Sequence, residues 1–242
     1  WAANLNRPDP SHYTTPQTIT LTALTTATTL LLAHLFYQKA LRRIPTVDHL
    51  RPTDLRHRTL HGWVPRVGDA DNFHLFHTPG GRWAGWHWVP WRRIARWTPR
   101  RFRHATLHIR IAGVDAPEAA HFGRAAQPHA PEALAWLRAT LLRRDVRVAL
   151  HAKDQYGRAV ATVWVWRWGV WRRDVGLEML RRGWATVYEA KSGCEFGGRE
   201  QAYRRAEAKA RQKRVGIWRA GEAALESPRD YKTRMKGEES AK

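Results

Sequence analysis

The run from Gln17 to Tyr37 contains no Asp, Glu, Lys or Arg. A stretch of that length, if helical, spans about 30 Å, the thickness of a bilayer's hydrocarbon core. Threonine dilutes its hydrophobicity, but a threonine hydroxyl in a helix can bond back to a carbonyl of its own helix. Lys39, Arg42 and Arg43 follow at once, with Tyr37 at the expected interface. Positive charges trail the apolar run instead of preceding it, which favours an anchor over a cleaved secretory signal. The chain therefore divides before any fold is considered. Residues 1–16 form an N-terminal segment, 17–37 a transmembrane helix and 38–59 a basic linker. A domain covers 60–219, and 220–242 reads as a charged disordered tail.

Charge narrows the partner. The 242 residues carry 42 Lys plus Arg against 21 Asp plus Glu, a net +21. Such an excess favours a polyanion, nucleic acid or an anionic membrane surface. Arginine outnumbers lysine, and its planar fork matches phosphate oxygens. The single cysteine, Cys194, excludes an internal disulfide framework and a cysteine-based zinc site.

Within the domain, His61–Val67 and Phe73–Phe76 read as two strands around the turn Asp69-Ala70-Asp71-Asn72. Thr106–Val114 reads as a third, Val146–Leu150 as a fourth and Ala159–Trp166 as a fifth. Helices are expected over Pro131–Leu142, with Leu134, Leu137, Leu141 and Leu142 on the apolar side, over Asp174–Arg182 ending at Gly183, and over Arg199–Lys213. Trp184–Tyr188 reads as a short extended piece, and Gly216-Ile217-Trp218 closes the domain. This order predicts an α+β domain: a five-stranded β-barrel of the oligonucleotide-binding (OB) type with three helices, preceded by the transmembrane helix. Residues 82–104 have no clean period. They interleave Trp83, Trp86, Trp88, Trp91 and Trp97 with arginines. They read as a packed excursion, a base-stacking surface or a membrane contact.

The chemistry concentrates at Arg110-Ile-Ala-Gly-Val-Asp115-Ala-Pro-Glu118 and Asp154-Gln-Tyr-Gly-Arg158. Asp115 and Asp71 follow strands, so both can face one barrel mouth as oxygen ligands of Ca²⁺, with the Ala116 carbonyl as a third. Glu118 is placed to take a proton from water. Arg110 and Arg158 would hold phosphate oxygens as negative charge grows.

These blocks, with Val67-Gly-Asp-Ala-Asp71-Asn-Phe, Leu180-Arg-Arg-Gly-Trp-Ala-Thr-Val-Tyr188 and Gly216-Ile-Trp218, resemble the thermonuclease family of staphylococcal-nuclease-like domains. The resemblance implies Ca²⁺-dependent cleavage of DNA and RNA. By matching positions, Arg110, Glu118 and Arg158 would be catalytic, Asp71, Asp115 and Ala116 would hold the metal, and Tyr156 would lie beside bound nucleotide. The anchor, the linker, the Trp-rich insertion and Tyr188-Glu-Ala-Lys-Ser-Gly are similar to a fungal subgroup of endonucleases with one membrane span. That subgroup is associated with mitochondria, and the mitochondrial expectation rests on this likeness alone. The first block departs from the usual Asp-Gly-Asp-Thr, since Ala70 stands where a glycine is common and Asn72 lacks a hydroxyl. If the turn needs a positive φ, Ala70 strains it. Two other function classes compete: a non-catalytic nucleic-acid-binding OB module tethered to a membrane, and a membrane-tethered interaction protein using the Trp-rich segment.

Overall fold

A computed structural model describes residues 15–94, 97, 99–102, 104–120, 126–167, 171–189, 195–221, 230, 231 and 234. Residues 1–14 of the N-terminal segment and most of the tail lie outside the described residues. The chain forms two compact units, Trp1–Arg42 and Arg43–Lys242.

In the first unit, helix α1 (Pro16–Phe36) begins at Thr15, whose hydroxyl accepts from the Thr18 amide at 3.4 Å. Its apolar side chains point out on all sides, so no polar face forms. Thr20, Thr22, Thr25 and Thr29 each donate to the carbonyl four residues earlier, at 2.7 to 3.0 Å. Those bonds satisfy hydroxyls that hydrocarbon would otherwise leave unpaired. The helical stretch continues to Leu41 and is long and apolar enough to cross a membrane.

The second unit is built on a barrel. Strands β1 (Thr59–Asp69) and β2 (Asn72–His77) form a hairpin, and β2 pairs antiparallel with β3 (Leu107–Ile111). A two-residue strand, β4 (Val114–Asp115), comes next. Strands β5 (Asp145–Lys153) and β6 (Ala159–Arg167) form a second hairpin, and β5 returns to β1. The parallel pairing of β3 with β6 closes the ring, giving five barrel strands in the order β1-β2-β3-β6-β5. Strand β7 (Trp171–Asp174) extends β6 outside the ring. Closure removes the free edges that an open sheet would expose.

Alternation drives the barrel. Leu107, Ile109 and Ile111 of β3 are buried, as are Phe73 and Leu75 of β2 and Val146, Val148 and Leu150 of β5. Each such side chain stabilises the fold by roughly 1.5–3 kcal/mol relative to exposure. The third strand is shorter than the expected Thr106–Val114. A turn at Ala112-Gly113 ends it, and Val114–Asp115 leaves the barrel to pair with β8 (Thr186–Val187).

Helices α3 (Ala130–Leu141), α4 (Val175–Arg182) and α5 (Glu200–Gln212) supply the three expected for the barrel. A four-residue helix, α2 (Pro99–Phe102), lies in the insertion. Helix α3 buries Ala130, Ala133, Leu137 and Leu141, while Leu142 lies past its end and is exposed. Asp174 caps α4 through a bond from the Leu177 amide at 3.0 Å, and its carboxylate also accepts from the Tyr203 hydroxyl of α5 at 3.0 Å. Strong caps of this kind contribute about 1 kcal/mol.

The compact unit starts well before Leu60. Ile44 and Val47, inside the expected basic linker, are buried in the barrel core, and Asp54 pairs with Arg58 at 2.9 Å. Two apolar residues in a basic stretch were too sparse a pattern to read as core. The Trp-rich insertion divides. Trp86 and Ile94 join Phe76 of β2 in a second small core, with Trp63, Trp97 and Phe102 packed against it. Trp83, Trp88 and Trp91 are exposed.

His77 sits at the foot of this region, 2 % exposed, and its Nδ1 accepts the Ile44 amide at 2.9 Å. Burial, with Arg58 and Arg43 nearby, pushes its pKa down to about 3. A histidine held neutral in the fold contributes stability that is complete above its unfolded pKa near 6.5 and is lost as pH falls toward the folded value. We expect this group alone to cost about 2 kcal/mol at pH 5 relative to pH 7.5. Urea titrations of wild type and His77→Gln at both pH values check it. An equal loss in the two proteins would remove His77 as the cause.

Candidate active site

The barrel's register assembles the site on its outer face. Because Ile109 points inward, its neighbours His108 and Arg110 point outward. Across the β2–β3 ladder, Asn72 pairs with Arg110 and His74 with His108. On the other side Ile109 pairs with Ala159, so Arg158 falls beside His108. Residues separated by 48 positions in sequence thus share one surface through the parallel closure.

Arg110 is the centre of this surface. Its Nε donates to Asp71 Oδ2 at 3.2 Å, and its Nη2 lies 3.7 Å from Asp115 Oδ1. The guanidinium stacks 4.3 Å from the ring centroid of Tyr188. Burial opposes its charge, but Asp71, a hydrogen bond with Tyr188 and Asp115 outweigh burial and raise its pKa. Asp115 is 4 % exposed and sits on β4, where the Thr186 hydroxyl donates to its carbonyl at 3.2 Å. The β4–β8 ladder therefore holds both Asp115 and, through the bond from the Tyr188 amide to the Gly113 carbonyl at 3.1 Å, the ring over Arg110.

The turn carrying Asp71 is unstrained. Neither Ala70 nor Asp71 has a positive φ, so the alanine costs no backbone strain, and Ala70 is buried in the core. Asn72 donates from Nδ2 to Asp71 Oδ1 at 3.0 Å, which orients that carboxylate.

Arg158 is fixed by Asp154. Its Nε and backbone amide donate to the two oxygens of that carboxylate, at 2.7 and 2.8 Å. Burial of Asp154 is outweighed by these bonds, which lower its pKa. Asp154, Arg110, Tyr188 and Glu195 line one small cleft of about 160 Å³. Tyr156 is exposed, with Arg158 at 5.3 Å from its ring centroid. His108 lies between the two halves: burial, the stacked His74 ring and Arg158 lower its pKa to about 4.

Glu118 stands on the chain leaving β4. Its backbone is gripped from both sides by buried Gln127, whose Oε1 accepts the Glu118 amide at 3.0 Å and whose own amide donates to the Glu118 carbonyl at 2.9 Å. Residues 121–125 between them, including His121, lie outside the described residues. The structure thus brings Asp71, Arg110 and Asp115 into direct contact. Arg158 and Tyr156 stand on the adjoining turn, and Ala116 and Glu118 follow Asp115 in the chain. Tyr188, Asp154 and Gln127 were missed as site residues. The Asp154–Arg158 pair was legible from its spacing of four across a turn, whereas nothing local marks Tyr188.

Among the described residues, no group of three or more His, Cys, Asp or Glu converges as a metal cluster. A hard cation needs less from side chains. A buried carboxylate, Asp115, and a half-buried one, Asp71, already share one cationic partner here, and Ca²⁺ completes a shell of about six to eight oxygens with carbonyls and water. The donor set fits that ion.

A family model described as staphylococcal nuclease homologue matches residues 108–220. The chain is 55% identical over 234 residues to "Probable endonuclease lcl3" of Botryotinia fuckeliana, covering 97% of this chain and 88% of that protein. It is 54% identical to the protein of the same name from Pyricularia oryzae, covering 97% and 89%. A Colletotrichum graminicola relative, also so named, is 50% identical over the whole chain and 86% of its own length. These likenesses extend through the N-terminal helix and the Trp-rich insertion, beyond the family model's limits. The chain belongs to the staphylococcal nuclease homologue family, in the fungal branch that these relatives represent.

Proposed function

We propose that this chain is a membrane-anchored, Ca²⁺-dependent endonuclease acting on DNA, RNA or both. The observation that carries the reading is Arg110, held charged between Asp71 and Asp115 on the face that also bears Arg158. Two fixed guanidinium groups beside an acidic pair suit a phosphodiester, whose transition state gathers negative charge on its equatorial oxygens. In this reading Arg110 and Arg158 donate to those oxygens. Asp154 and Tyr188 hold the two guanidinium groups in place. Glu118 takes the proton of the attacking water as the P–O bond to water forms and the ester P–O bond breaks, the leaving alkoxide taking a proton from solvent. Tyr156 offers an exposed ring to a base. Asp71, Asp115 and the Ala116 carbonyl would hold Ca²⁺, which supplies Lewis-acid polarisation of the phosphate when bound. Helix α1, long and apolar enough to cross a membrane, would be the anchor, and the membrane proposed for it is a mitochondrial one.

Digestion of plasmid and single-stranded DNA by the detergent-solubilised full chain tests this. Cleavage should require Ca²⁺, stop in EDTA, and fall by roughly two to four orders of magnitude in Glu118→Gln. Undiminished cleavage in EDTA removes the metal from the reading. Binding without cleavage, unchanged in Glu118→Gln, favours the non-catalytic module.

A further inference from the structure

A cleft of about 600 Å³ lies between the Trp-rich insertion and the outer face of β1 and β2. Its walls include Trp63, Trp97 and Phe102, each partly exposed. Arg66, Arg100 and Arg143 line it as well and are exposed, and among the described residues no Asp or Glu lines it. Arg101 stacks on Trp97 at 3.8 Å, adding a further cation. Aromatic faces bordered by guanidinium groups suit a ligand with flat rings and repeated negative charge.

The cleft adjoins the face that bears Arg110 and Arg158. His74 lines it, and its ring stacks on His108 at 4.8 Å with the planes 10° apart. His108 bonds Asn72 Oδ1 at 3.2 Å, and Asn72 pairs with Arg110 in the ladder. Phe76, the next outward residue of β2 after His74, carries the insertion's own core. Strand β2, with the stacked imidazoles of His74 and His108 beside it, therefore leads from the arginine site into the cleft.

We infer that this cleft binds the single-stranded segment of a nucleic-acid substrate that flanks the scissile phosphate. The walls from Trp63, Trp97 and Phe102 take base faces, and Arg66, Arg100 and Arg143 take the phosphates. The insertion thus lengthens the substrate track beyond the site that cuts. An anionic lipid would also match arginines and apolar walls, but a lipid gives no reason for the His74–His108 path to Arg110. The inference rests on the nuclease reading for the identity of the substrate, and its test separates the two.

The full chain in detergent, with EDTA present to prevent cleavage, is titrated into a labelled single strand of ~12 nucleotides and into a dinucleotide. The double variant Arg66→Glu/Arg100→Glu changes only exposed side chains, and its thermal melt is measured alongside. We expect its affinity for the long strand to fall at least about tenfold and its log–log salt slope to shrink by about 1.4, the release of two phosphate contacts. Dinucleotide binding should hold within about twofold, since one phosphate cannot span the track. Unchanged affinity for the long strand overturns the inference. So does intact strand binding combined with lost flotation on phosphatidylserine vesicles, which would make the cleft a membrane contact. A wild type that binds strands through these arginines but cleaves nothing in Ca²⁺ defeats the nuclease reading and leaves the cleft assignment standing. Normal cleavage in Ca²⁺ with strand affinity indifferent to the double variant does the reverse.

Discussion

Arg110→Ala should lower phosphodiester cleavage by a factor on the order of 10³, as loss of one preorganised transition-state donor does. The effect is expected mainly in kcat, because the guanidinium meets its full negative charge only as the transition state forms. The variant also removes the cation that now pairs with both Asp71 and Asp115. Breaking a buried ion cluster by removing one partner costs roughly 3–5 kcal/mol. Stability and activity must therefore be read together. Single-turnover cleavage with saturating Ca²⁺, well below the melting temperature, isolates the chemical loss. Arg110→Lys keeps a charge but has no planar fork, and it should recover much of the stability and little of the rate. A lysine variant cleaving at the wild-type rate would show that Arg110 is an internal brace for the acidic pair and makes no transition-state contact.

Gly183→Ala should be among the most damaging single methyls in the described fold. Gly183 ends α4 in the left-handed region at φ +66, donating to the Leu180 carbonyl while Trp184 donates to Met179. That conformation costs an L-residue about 1–2 kcal/mol. Here the chain adds a clash, because a Cβ at 183 would lie 2.2 Å from the Val215 carbonyl oxygen. The same segment is tied back by the Ile217 amide, which donates to the Gly183 carbonyl at 2.9 Å. Backbone on both sides cannot move aside without separating α4 from the closing turn. We expect a loss of at least about 3 kcal/mol, beyond the backbone cost alone. Gly198→Ala is the control. Its φ is +76, but nothing lies within 4 Å of the added Cβ, so only the backbone cost of about 1–2 kcal/mol should appear. Denaturant midpoints for the two variants decide the matter, and equal losses would mean that the Val215 contact costs nothing.

The contrast between these two glycines shows where local sequence stops informing. A glycine after an arginine-rich helix reads as a cap, and the boundary of α4 followed from it. The carbonyl that forbids a side chain there comes from residue 215, and no window around 183 contains it. The same holds at the site. The two arginines proposed to hold the phosphate were legible because strand alternation and turn residues frame them: Arg110 on a run with buried neighbours, Arg158 at the exit of Asp154-Gln-Tyr-Gly. The Trp-rich insertion was not legible, because its short turns have no period to read. Only packing against Phe76 decided that Trp86 and Trp97 turn inward while Trp83 and Trp91 stay out.

The sequence by itself determined a charge-free helix able to span a membrane, five alternating strands, three helices and a set of arginines and carboxylates at strand ends. Those follow from periodicity and from the chemistry of neighbouring residues, which act over a few positions. Only the tertiary structure decided that β3 and β6 run parallel and side by side, that Tyr188 covers Arg110, and that Ile44 and Val47 belong to the barrel. Each of these depends on contacts between residues dozens of positions apart. Such contacts form when the ring closes, and the free energy that selects them is spread over the whole core.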